Sequence, residues 1–176
     1  MIHEVGMDSR TSRRTRGWAV VGDCTTERHA QAKQQRATTL GVLSGRDGLV
    51  DWFTVAGGMG SMDLVNAALV VVVPHLNPFP GPNSVLVLDN NATHRNPLLQ
   101  IIRRTGALVA HTPPYTPQYN PIESAFNVAK AWLRRNRALV DAPGVTPFQA
   151  MDWALRSITF STAMGFICGT RVYTWD

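Results

Sequence analysis

A chain of 176 residues with 44% apolar side chains has enough hydrocarbon for one sizeable core, which excludes a disordered protein and favours a single domain over 1–176. Lys and Arg outnumber Asp and Glu by 17 to 12 and the net charge is +5, a balance that favours an anionic partner, nucleic acid first. Neither Cys24 and Cys168 nor the five histidines have zinc-ligand spacing, no signal-peptide pattern follows Met1, and the longest apolar run, Ala67 to Val73, stops at Pro74, so zinc, disulfide and membrane classes fall away and a soluble, non-secreted protein is expected.

Ile2 to Val5 reads as the end of a strand, followed by a polar loop over Gly6–Arg16 that carries Arg10, Arg13, Arg14 and Arg16. Trp18 to Val21 reads as a second strand closed by a Gly22-Asp23 turn, and Glu27–Arg36 as a polar loop. Thr38–Leu43 and Leu49–Val55 are β-rich and flank a turn at Gly45–Gly48, giving an antiparallel run of three or four strands. After a glycine-rich link, Ser61 caps a helix predicted over Met62–Val73, which Val70 to Val73 resist because β-branched side chains crowd the preceding turn. The prolines of His75–Asn83 make a connection.

Val85 to Leu88 is a short unbroken apolar run, the pattern of a strand buried on both faces. A helix from about Asn96 to Arg104 with Gly106 beyond it follows, then a strand over Ala107–His111 and an irregular proline-rich stretch over Thr112–Asn120. The helix predicted from Pro121 to about Leu139 buries Ile122, Phe126, Ala129 and Leu133 and turns Lys130, Arg134 and Arg137 outward. A last helix starts at Thr146-Pro147. Antiparallel strands followed by β-α-β-α imply an α/β fold, a mixed sheet flanked by helices.

Two carboxylates stand out. Asp89 ends an interior strand, where open α/β sheets place their ligands, and Glu123 lies in the first turn of a helix. Such a pair could converge on a divalent cation. Glu123 also fits a capping arrangement with Asn120 and Pro121, and Asp89-Asn90-Asn91 also fits a turn. His94 and His111 read as surface or hydrogen-bonding residues, and Trp18, Trp52, Trp132 and Trp153 as core.

The segment Leu-Val-Leu-Asp-Asn at 86–90, His94 beyond it, and Pro-Pro-Tyr-Thr-Pro-Gln-Tyr-Asn-Pro-Ile-Glu at 113–123 resemble the DDE transposases of the Tc1/mariner and IS630 type. Gly17-Trp18, Thr38 to Ser44 and Lys130 agree with that resemblance. It implies a ribonuclease H-like fold, DNA as partner, and three carboxylates holding two Mg²⁺ or Mn²⁺ ions for in-line phosphoryl displacement. Asp89 takes the place of the second carboxylate and Glu123 of the third. It implies nuclear localisation in a eukaryote and cytoplasmic otherwise, and leaves room for a homodimer. The helix-turn-helix modules such transposases carry do not precede Met1, so the chain resembles an amino-terminally clipped catalytic domain.

The first carboxylate is missing. Where the pattern resembles Ile-Asp-Glu-x-Gly, this chain has Ile2-His3-Glu4-Val5-Gly6. His3 offers one uncharged nitrogen in place of two anionic oxygens, and Glu4 points to the other face of the strand. The expected catalytic positions are therefore His3, Asp89 and Glu123, the expected metal ligands Asp89 and Glu123, and the expected DNA contacts Arg13, Arg14, Arg16, Lys130, Arg134 and Arg135. With His3 in place, activity is expected to be impaired. A non-catalytic nucleic-acid-binding remnant of a transposase is the alternative.

Overall fold

The computed structural model describes residues 1–8, 11, 17–24, 36–89, 97–114 and 116–170. Three antiparallel strands come first: β1 (Ile2–Met7), β2 (Ala37–Ser44) and β3 (Gly48–Ala56), with β2 in the middle. After a helical segment, β4 (Val85–Leu88) pairs in parallel with β5 (Leu108–His111), with α2 (Pro97–Arg104) between them. β4 contacts β1, so the three-stranded antiparallel sheet, with β2 central, and the two-stranded parallel sheet lie against each other. The expected combination of antiparallel and parallel strands with helices is present, the strands forming two hydrogen-bonded sheets.

The strands separate two cores, as their period-two alternation requires. Ile2, Leu40, Val42, Leu86 and Leu88 face one core with α1 (Ser61–Ala67) and α2. Val5, Met7 and Leu43 face the other, filled by α3 (Pro121–Arg135), α5 (Pro147–Arg156) and α6 (Phe160–Gly169). A short α4 (Arg137–Val140) lies between α3 and α5.

Several sequence expectations are corrected here. Trp18–Val21 forms no strand, and Trp18 is fully exposed rather than core. Trp52, Trp132 and Trp153 are half-buried. The cap of α1 is Gly60, not Ser61. Its helical path does continue through the valines, but widens into a π turn at Ala68–Val72 and tightens to a 3₁₀ turn at Val73–His75. The widening gives room for the Pro74 ring, which would meet the carbonyl four residues back in a regular helix, and burial of Val71 and Val72 outweighs their low propensity.

β4 is not buried on both faces: Val85 is 41% exposed and Val87 half-buried, because α3 packs mainly on β1 and β2. A 3₁₀ turn, Pro117–Tyr119, interrupts the proline-rich stretch. The helix from Pro121 ends at Arg135, where Asn136 turns its amide onto the Trp132 carbonyl at 2.9 Å, and α4 resumes after it. The loop prediction for Glu27–Arg36 lies, apart from Arg36, outside the described residues.

Candidate functional site

The site is built at the junction of β1, β4 and α3. Alternation puts His3 on the same side of β1 as Val5 and Met7, toward α3. It also puts Asp89, one residue past buried Leu88, on that side of the sheet. α3 brings Glu123 from above, and the reason it can sit so low lies across the ladder. Gly41 pairs with His3, and a methyl group there would meet the Phe126 ring at 2.8 Å and Ile122 at 3.3 Å. The missing side chain of Gly41 is the seat of α3. Phe126, one turn after Glu123, lies 6.2 Å from the His3 ring, centroid to centroid.

The consequence is a close polar cluster. His3 Nδ1 stands 3.4 Å from Asp89 Oδ2, and His3 Nε2 stands 2.6 Å from Glu123 Oε1. The two acids reach the same imidazole, one at each nitrogen. His3 is only 20% exposed, against 29% for Asp89 and 39% for Glu123. Burial disfavours a charged imidazole here, but the hydrogen bond to Asp89 and the charges of Glu123, Asp89 and Glu4 outweigh it and raise the His3 pKa above its ordinary value. Two like charges about 4 Å apart near a protein surface repel by about 4 kcal/mol, so acids that converge need a cation between them. Here the imidazole stands in that place.

The capping role of Glu123 is not the one adopted. The Glu123 amide donates to the Asn120 carbonyl at 3.1 Å, but the Asn120 side chain makes no cap and its buried Oδ1 has no hydrogen-bond partner among the described residues. The Glu123 carboxylate turns to His3 instead. His111 is exposed and its Nδ1 lies 3.3 Å from the Asp89 carbonyl oxygen, in keeping with a hydrogen-bonding role.

On α3, Lys130 and Arg134 follow Glu123 at seven and eleven residues, which helical geometry places on one stripe. Both are half-buried rather than outward, while Arg135 is exposed. Arg137, expected outward, is also half-buried and pairs with Asp141 at 2.9 Å. Arg13, Arg14, Arg16, Asn90 and His94 lie outside the described residues. What sequence reasoning missed is Gly41, whose only signal was a glycine inside a β-rich strand.

Residues 1–144 match the family model of the DDE superfamily endonucleases. The chain belongs to that superfamily. The antiparallel and parallel sheets with their helices are accordingly the ribonuclease H-like fold of a DDE domain. No curated protein matches the chain. DDE endonucleases act on DNA and usually employ divalent metal ions. No helix among the described residues of this DDE domain is long and apolar enough to cross a membrane.

The side chains of this DDE domain do not fit a pair of metal ions. A shared pair needs a carboxylate at the first position to bridge it, and an imidazole has no second lone pair on either nitrogen to offer. Both His3 nitrogens already face acids. Among the described residues, no three His, Cys, Asp or Glu side chains are arranged to hold a metal ion.

Proposed function

We propose that residues 1–176 form one transposase-derived endonuclease domain of the Tc1/mariner and IS630 type, whose ancestral reaction was metal-dependent cleavage and transfer of DNA strands. The observation that carries this reading is the approach of Asp89, from a strand end, and Glu123, from a helix start, to a single point on the sheet. Packed hydrocarbon does not separate them. The basic stripe of Lys130 and Arg134 runs along α3 away from Glu123, and with Arg135 it suits contacts to DNA phosphates, which position a duplex without reading its sequence.

His3 impairs the reaction. It removes one of three negative charges that would face two dications, and it occupies the approach between the remaining two. In the present chain Asp89 and Glu123 bind and orient the imidazole, and no phosphoryl transfer step is assigned to them. The position of His3 also favours the second reading, a domain that keeps a DNA-binding surface without turnover.

Nicking of supercoiled plasmid in Mn²⁺ tests the reading. The wild-type chain should leave the plasmid intact, His3→Asp should restore partial nicking, and adding Asp89→Ala to that variant should abolish it. Nicking by the wild type that disappears with Asp89→Ala would show that His3 does not impair the site. A His3→Asp protein that neither nicks nor gains affinity for Mn²⁺ would remove position 3 from the site altogether.

A further inference from the structure

We propose that the loop of Pro78, Phe79 and Pro80, together with Arg103 and Arg104 at the end of α2, is a second nucleic-acid contact, one that takes an unpaired DNA strand. The loop precedes β4 and the arginines precede β5, whereas Asp89 follows β4, so this surface lies at the other end of the parallel pair. It depends neither on the two acids nor on His3.

Two backbone hydrogen bonds in series fix the loop to the helix end. The Phe79 amide donates to the Gly106 carbonyl at 3.0 Å, and the Gly106 amide donates to the Arg103 carbonyl at 3.1 Å. Gly106 has no side chain to hold the loop away: a methyl group there would meet Pro78 at 3.1 Å. The Gly81 amide closes the loop on the Pro78 carbonyl at 2.9 Å, and Asn77 Nδ2 donates across it to the Pro82 carbonyl at 2.7 Å. Prolines on both sides of Phe79 restrict its backbone further. Phe79 is nevertheless 54% exposed. An aromatic ring on so fixed a backbone, left open to water, is a stacking surface that loses little further freedom when a flat partner covers it.

Charge decides the partner. Arg103 and Arg104 are exposed, and neither meets an acid among the described residues. Asp47, the acid bonded to the end of this loop, accepts from Ser44 Oγ at 3.0 Å and from Asn83 Nδ2 at 3.3 Å, and has Arg46 3.9 Å away. Helix-end charge would account for two arginines closing α2, since they complement its dipole, but not for a bare aromatic fixed beside them. An acidic peptide would use the arginines and leave the ring idle, and a duplex keeps its base faces stacked inside. An unpaired strand offers phosphates to the arginines and an open base face to Phe79, and so uses both.

Fluorescence anisotropy of the full chain with labelled oligothymidine and with a labelled duplex, each over a series of salt concentrations, tests the contact. Wild type should bind oligothymidine. Phe79→Leu should weaken that binding about tenfold and leave duplex binding unchanged, while Phe79→Trp should retain it. Replacing both arginines, Arg103→Gln with Arg104→Gln, should lower the log–log salt slope for oligothymidine by about 1.4, the value for two phosphate contacts on a single strand. Phe79→Leu that binds oligothymidine like wild type overturns the proposal, and so does equal weakening toward strand and duplex. An unchanged salt slope in the arginine variant overturns it as well. A wild type that binds no oligothymidine does so without any variant having to fold, and it leaves the plasmid assay of His3 and Asp89 as it stands.

Discussion

Replacing a carboxylate by an imidazole changes what a strand end can hold. The His3 ring stands between two acids that would otherwise repel, one at each of its nitrogens. This gives a pH dependence with a definite sign. A histidine whose pKa is raised by folding contributes stability that is complete below the unfolded value, about 6.5, and is lost as pH rises through the higher folded value. The groups acting on His3 are Asp89 and Glu123, in contact with it, and Glu4, through its charge alone. The stability advantage of wild type over His3→Ala should therefore shrink as pH rises from about 6.5, as read from urea denaturation midpoints across neutral and mildly alkaline pH. An advantage that grows with pH would contradict the ion pairing.

At the level of elements, the decisive contact is the low seat of α3 on β1 and β2. Gly41→Val should overpack that seat, lower stability by about 1–3 kcal/mol in chemical denaturation, and push Glu123 away from His3. If Gly41→Val is neutral, Phe126 is not held as described. The same contact marks what could be read from the residues alone. Thr38–Leu43, Leu49–Val55 and Val85–Leu88 were legible as strands because β-branched runs between turn residues have few other outcomes. Thr146 was legible as a cap, and it does accept from the Gln149 amide. Gly106 was legible as a helix stop, and its φ of +79° is the left-handed conformation that glycine favours. Asp89 and Glu123 could be named, and so could His3 as the odd residue.

Their convergence was expected too, but not that the His3 ring would stand between the two acids. Their meeting depends on Gly41, a tertiary fit between strand and helix that no local pattern encodes. Trp18 misled for a similar reason: an aromatic next to small apolar residues looks like strand, yet nothing among the described residues covers it. The helix α6 was overlooked because Phe160–Gly169 mixes Ser, Thr and two glycines, poor helix formers, and it is held by burial of Ala163 and Ile167.

Across the whole molecule, the α3 side of the sheet is closed by residues far along the chain. Ala150, Met151, Ala154, Leu155, Ala163 and Ile167 lie in the same core as Ile122, Phe126 and Leu133. The superfamily match ends at residue 144, ahead of both α5 and α6. A fragment ending at Gly144 should thus lose cooperative thermal unfolding and sediment as aggregate, and a soluble fragment with a sharp transition would show that α5 and α6 are dispensable. Loss of folding in that fragment would make the limit of family likeness and the limit of the folding unit separate borders in this protein. Anyone trimming the chain to the shared part would strip the oily underside of the very helix that carries Glu123.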